Sequence, residues 1–276
     1  MYRAKKSFFL ALAAALCIGG LTAKANLLTT FPMMGDLERW AVFSLGGSVT
    51  ASDDSTGTTD IYGDVGVAGN GNLSLTGTAT IHGDLYYKTQ GTLTLNGKPK
   101  ITGTIHHDAG SDAQLNNGVT EAMNTSAAAF ALPVTPTYAS LTDIQLSGQQ
   151  NLTISGAPGQ TVVLKLQNFS ITSGTLTLSG SATTNFVINV SKQFSLTNHA
   201  QIILTGGVAW DDVLFNVVGS GSKVTLDGQS VLRGILMANN RTVALSGKAI
   251  VYGEVIGDKV SLTGGSQVNR PPITSP

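Results

Sequence analysis

Apolar and polar residues alternate in short bursts along this chain. A five-residue unit (apolar, variable, apolar, variable, then Gly or Asn) occurs nine times, at 73–77, 93–97, 144–148, 152–156, 176–180, 194–198, 224–228, 243–247 and 260–264. All eighteen apolar slots hold Leu, Ile, Val or Phe. A period of two is the strand period, so each unit turns one wholly apolar face to the same side. The closing Gly or Asn suits a corner, because those residues tolerate positive φ where others are strained. One unit is too short to make a stable sheet; stacking successive turns of chain pairs the units and buries a continuous interior. The pattern therefore predicts an all-β, coiled β-solenoid. A longer period of 20 residues runs near the start through Gly57, Gly77 and Gly97, then Ile61, Ile81 and Ile101, then Gly63, Gly83 and Gly103, then Val65, Leu85 and Ile105. Such fixed-period similarity is the mark of a repeat architecture. Eight coils at about 4.8 Å per strand make a rod on the order of 35 Å long.

The pattern lapses once. Residues 112–132 lose the alternation and gain Ala and Met, with Leu115, Val119, Met123 and Phe130 near helical spacing and Ala127 to Ala129 favouring a helix. Pro133 and Pro136 end it. One helix packed beside the solenoid is the expectation. Ahead of the repeats, Trp40-Ala41-Val42-Phe43-Ser44-Leu45 reads as the first apolar strand. The expected organisation is a solenoid domain over 26–268 with the helical insertion near 112–132, followed by a polar tail, 269–276.

The first 25 residues read as a secretory signal. Arg3, Lys5 and Lys6 precede an uncharged, mostly apolar run to Leu21, and Ala23-Lys24-Ala25 places small residues at the cleavage positions. Its removal takes away Cys17, the one cysteine, and with it any disulfide or thiolate chemistry. It also takes four of 16 basic side chains, leaving 12 against 16 acidic ones and a net charge of −4. That balance gives no basic footprint for nucleic acid or an anionic membrane. A secreted protein, extracellular or on the cell surface, follows. The mature chain has no segment for membrane insertion.

The outward positions of the five-residue units are the candidate binding face: Ser74, Thr76, Thr94, Thr153, Ser155, Thr177, Ser179, Ser195, Thr197, Thr225, Ser246, Ser261 and Thr263. Among the eighteen outward slots only Asp227 is charged. Ser and Thr suit the solvent face of any strand. A merely soluble face would, however, normally use Lys and Glu. Flat rows of short side chains repeating at about 4.8 Å could order water into an ice-like layer or lie against a polymer.

Catalysis finds little footing. Glycan hydrolysis needs two carboxylates at a set separation, and the nearest fragments, Asp53-Asp54, Asp211-Asp212 and His82, are scattered. His106-His107-Asp108 offers metal-ligand chemistry, but neighbours on a strand point opposite ways, so a solvated turn is expected there. Asn239-Asn240-Arg241 reads as a turn between coils, and Trp210-Asp211-Asp212 as an insertion loop. No catalytic residue, metal site or cofactor is predicted.

The run Trp40-Ala41-Val42-Phe43-Ser44-Leu45-Gly46-Gly47, followed by Ile61-Tyr62-Gly63-Asp64-Val65-Gly66-Val67, resembles the opening of the DUF3494 ice-binding-like family. It is also similar to the bacterial choice-of-anchor A surface domains. The segments Val213-Leu214-Phe215-Asn216-Val217, Gly234-Ile235-Leu236-Met237-Ala238 and Gly253-Glu254-Val255-Ile256-Gly257 resemble the terminal coils of both. The likeness covers about residues 40 to 268. It implies a right-handed, interrupted parallel β-solenoid with one long helix alongside, and non-catalytic extracellular binding. Ice is the first expected partner, through the Ser/Thr face. An adhesin or coat protein binding extracellular polysaccharide is the alternative, and a polysaccharide-cleaving enzyme a second.

Overall fold

Residues 37–54 and 57–272 are described by the structure, a computed structural model. The expected signal peptide and the end of the tail lie outside them. The described chain is mostly β, with twenty strands and one long helix, α1 (Ala109–Ala131).

Every strand pairing is parallel, and the pairings form three ladders of nine strand segments each. One runs through segments 143–147, 168–172, 193–197, 224–226, 242–245, 259–263, 48–52, 72–76 and 93–97; we call it the hydroxyl ladder. The second, the mixed ladder, runs from 151–155 through 175–179, 201–205, 231–233, 250–252, 267–269, 60–62 and 80–82 to 100–101. The third, the covered ladder, runs from 161–166 through 185–190, 213–217, 235–238, 254–257, 42–44, 65–67 and 85–87 to 105–106. Inward side chains of all three meet in one apolar core that includes Val49, Leu75, Leu176, Leu178, Ile188, Phe215, Leu245 and Val260, all within 1 % of full burial. Phe169 and Phe194 stack inside it at 4.8 Å.

The ladders are not in sequence order. Residues 42–44 lie between 255–257 and 65–67, and 60–62 pair with 267–269. The three N-terminal tiers, those with the 20-residue period, thus stack beyond the C-terminal tier. The period equals one tier: Ile61 faces Ile81 and then Ile101, and Val65 faces Leu85 and then Ile105. Its central glycines allow this close stacking, since a Cβ on Gly83 would sit 2.4 Å from the carbonyl oxygen of Gly63.

After residue 106 the chain must travel back past all nine tiers to begin at 143. Twenty-three helical residues span about 34 Å, and eight inter-strand steps cover about 38 Å, so the helix length matches the height of the stack. Asp108 caps α1 through its side chain on the Ser111 N–H, with the Ser111 hydroxyl returning to the Asp108 N–H. The helix buries Ser111, Leu115, Gly118, Ala122, Thr125 and Ala129, a stripe of mostly small residues. Met123 and Phe130, expected on the packed side, are instead 46 % and 47 % exposed. Small residues let the backbones approach closely: a Cβ on Gly118 would lie 2.9 Å from the Phe43 ring. Beneath the stripe, the outward side of the covered ladder is apolar (Phe43, Val163, Val187, Leu214, Ile235, Met237, Ile256) and forms a second core with the helix.

Two sequence expectations need correction here. Trp210-Asp211-Asp212 is a buried 3-10 turn leading into the covered ladder, not an insertion loop. Asn239-Asn240-Arg241 lies inside strand Val231–Leu245, at a register shift between Ala238 and Thr242, and Asn239 and Arg241 are buried. Polar residues there mark a bend between two ladders, with Asn239 donating to the Ala122 carbonyl of the helix and Arg241 to backbone carbonyls of neighbouring tiers.

Candidate functional site

The thirteen candidate residues do not share one ladder. Ser74, Thr76, Thr94, Ser195, Thr197, Thr225, Ser246, Ser261 and Thr263 lie on or at the end of segments of the hydroxyl ladder. Thr153, Ser155, Thr177 and Ser179 lie on the mixed ladder. The closing residue of the unit tells the two apart. Gly77, Gly97, Gly148, Asn198, Gly228, Gly247 and Gly264, at the end of the hydroxyl ladder, all have positive φ, whereas Gly156 and Gly180 do not. One sequence pattern therefore describes two different corners.

Two segments of the hydroxyl ladder escape the five-residue pattern, and with them Thr50, Ser52, Ser170 and Thr172. The first ends in Asp53, whose carboxylate accepts from the Thr59 N–H (2.7 Å) and the Thr78 N–H (2.6 Å), a stapled corner without Gly. The second ends in Ser173, which adopts φ 58° itself. Alternation alone, read without the closing residue, would have found both.

With those added, the middle outward column reads Gln145, Ser170, Ser195, Thr225, Ala244, Ser261, Thr50, Ser74 and Thr94, nine short or uncharged side chains in register. The column beside it reads Ser147, Thr172, Thr197, Asp227, Ser246, Thr263, Ser52, Thr76 and Asn96. Hydroxyls bond along the columns, Thr50 to Ser261 at 3.1 Å and Thr172 with Thr197 at 3.2 Å. The single charge, Asp227, accepts from the Ser246 hydroxyl at 2.9 Å. At the end of the stack Asp143 begins its segment, and its carboxyl is held below the usual range, first by the Asn168 side chain.

The mixed ladder differs. Its middle column runs Thr153, Thr177, Ile203, Arg233, Tyr252, Asn269, Tyr62, His82 and Thr102. Arg233 lies over Tyr252, and Tyr62 stacks on His82 at 4.3 Å. Large, charged and aromatic side chains break any regular surface there.

The acidic fragments considered for catalysis serve the fold. His82 bonds Asp60 at 3.0 Å, and Asp212 accepts from the Ala209 N–H at 2.7 Å. His106 is on a strand rather than in a solvated turn; it stacks on Tyr86 and bonds Asp84, while His107 stacks on Tyr87. Asp108 is the helix cap. Glu254, fully buried, is pushed up to about 7 by desolvation, against the pull of Arg270 at 2.9 Å. Among the described residues no group of three or more His, Cys, Asp or Glu could hold a metal ion, and no helix is long and apolar enough to cross a membrane.

Solved structures share this arrangement. A glycosylated ice-binding protein from an Arctic yeast superposes with a TM-score of 0.60 at 18% identity, over 88% of this chain and 95% of that one. An ice-binding protein from the Antarctic ascomycete Antarctomyces psychrotrophicus gives 0.55 at 21%, over 86% and 96%. The DUF3494 domain of a Shewanella frigidimarina ice-binding protein gives 0.54 at 13%, over 87% and 97%. The fold is thus that of ice-binding proteins. The ice-binding-like family matches residues 44–267, and this chain belongs to it. No curated protein sequence matches the chain.

Proposed function

We propose that this protein is a secreted, non-catalytic, right-handed β-solenoid that adsorbs to ice through the outer side of its hydroxyl ladder. The domain runs over 26–268, released by removal of residues 1–25. The observation that carries the reading is the nine-deep column of uncharged side chains, all small but Gln145, at strand spacing, flanked by a second column with one charge. Neighbouring strands lie about 4.8 Å apart, so every hydroxyl along a column meets water with the same period. Thr is stiff at χ1, which fixes those positions before any ice is met. The middle column carries no ionic side chain whose hydration shell would compete with a lattice-like layer. Membership in the ice-binding-like family and the likeness to three ice-binding proteins support the same reading.

The test places one bulky residue on each ladder. Ser261→Tyr, mid-stack on the hydroxyl ladder, should abolish recrystallisation inhibition and cut thermal hysteresis several-fold. Thr177→Tyr, on the mixed ladder, should leave both unchanged. The reverse result would move the site to the mixed ladder, and inactivity of the unsubstituted protein would end the reading.

A further inference from the structure

A cleft of about 610 Å³ opens where residues 191–195 of one tier meet 220–225 of the next. Lys192, Lys223, Ser222, Ser195 and Thr225 line it, together with Phe194. Arg241, only 3 % exposed, lies behind the lining loop, its guanidinium 3.2 Å from where a Cβ on Gly221 would sit. It donates to the carbonyls of Val218 (2.8 Å), Gly219 (3.0 Å), Ser191 (2.9 Å) and Lys192. All four acceptors are neutral. Among the described residues no carboxylate lies within 4.0 Å of Lys192, Lys223 or Arg241; Lys192 donates to the neutral side-chain oxygen of Gln167 (2.7 Å) on the preceding tier, and Asp143, two tiers away, feels it only through space.

Arg241 thus uses up carbonyls that flank the loop, while no described protein atom accepts from the N–H groups of Ser220, Gly221 or Ser222. An exposed bend beside cations is a concavity that an anion can enter. Lysine serves such sites as a mobile point charge. The cleft also runs into the hydroxyl ladder, because Ser195 and Thr225 belong to both. A fitting ligand carries an anionic group and, next to it, a flat array of hydroxyls.

We propose that this cleft binds an acidic polysaccharide, with one carboxylate or sulfate seated between Lys192 and Lys223 and the adjoining sugar hydroxyls laid on Ser195 and Thr225. The site overlaps the proposed ice-adsorbing face at Ser195 and Thr225, but polymer binding through the two lysines does not require the protein to adsorb to ice. The test is affinity electrophoresis of the whole protein in gels holding polygalacturonate, dextran sulfate or neutral dextran, at low and raised salt. Retardation is expected with one or both acidic polymers, weakening with salt, and not with dextran. Polygalacturonate alone would assign a carboxylate, dextran sulfate alone a sulfate. The double variant Lys192→Gln/Lys223→Gln should bind about tenfold more weakly, as the loss of two exposed ion pairs implies, with an unchanged melting temperature. Lys98→Gln/Lys100→Gln, the same charge change on another tier, should bind as before. Equal retardation by dextran, undiminished binding by the first variant, equal loss in the second, or no retardation by either acidic polymer overturns the proposal. So does inorganic sulfate that competes as tightly as the polymer does.

Discussion

The covered ladder and the hydroxyl ladder share one inward pattern and differ in what they turn outward. The first presents Phe43, Val187, Leu214, Ile235, Met237 and Ile256, with Asn189 and Asn216 in register and Asn239 just past the segment's end. The second presents Ser and Thr. On the covered side, burying the apolar side chains is worth roughly 25 cal/mol per Å², which recruits α1. The asparagines then fix its position: Asn189 donates to the Ala129 carbonyl (3.0 Å), Asn216 to that of Ser126 (3.0 Å) and Asn239 to that of Ala122 (2.8 Å). On the hydroxyl side nothing apolar is left to bury, so the surface stays open. The composition of one outward column thus decides whether a ladder is covered by the helix or stays open to solvent.

Substitutions can break this contrast. Gly118→Leu should have the largest effect, because even a Cβ would press on Phe43. Overpacking of this kind costs about 3 kcal/mol, a fall of roughly 6–12 °C in melting temperature. A shift below 2 °C would mean the helix is not seated closely on the ladder.

Glu254 gives the next effect, on the depth of burial rather than on the helix. Its carboxyl is raised to about 7, by burial first, against an ordinary value of 4.5. The folded protein therefore holds that proton more tightly than the unfolded chain. This contribution to stability is complete below about pH 4.5 and is lost as pH rises through 7, on the order of 2–3 kcal/mol. Glu254→Gln, which keeps an acceptor for Arg270, should remove that slope, measured as the difference in melting temperature between pH 4.5 and 8 for the two proteins. Parallel pH curves would refute the assignment.

Asn216→Val strips the helix of a clamp and leaves the Ser126 carbonyl and the Asn189 side-chain oxygen without their donor, a cost of about 2 kcal/mol. Thr197→Val, a similar exchange on the hydroxyl ladder, should change stability by less than about 0.5 kcal/mol. Urea denaturation of both proteins compares them directly; equal losses would erase the distinction drawn between the ladders.

Much of the ladder geometry was legible in alternation. Leu73, Leu176 and Leu245 are buried as their period of two requires, while Leu93 is half-buried and Leu95 exposed on the last tier, which has no strand above it; the 20-residue period is one tier because parallel stacking repeats each residue one strand above itself. The helix was legible from its composition, but not its buried stripe: Met123 and Phe130 are the more apolar residues, yet close backbone approach favours Gly118, Ala122 and Ala129. The candidate face was half legible. Thr153 and Thr177 obey the same local rule as Ser195 and Ser261, and nothing within five residues says which ladder a strand joins.

By itself, the sequence determined most strands of two ladders, their inward faces and the place of the helix, because alternation and propensity act over a few residues. Only the tertiary structure decided that the N-terminal tiers stack beyond the C-terminal one, that thirteen hydroxyl residues divide between two ladders, and that Arg241 stands behind a cleft. Those depend on which segments lie about 4.8 Å apart in space, a relation between residues as many as 214 positions distant along the chain that no local pattern carries.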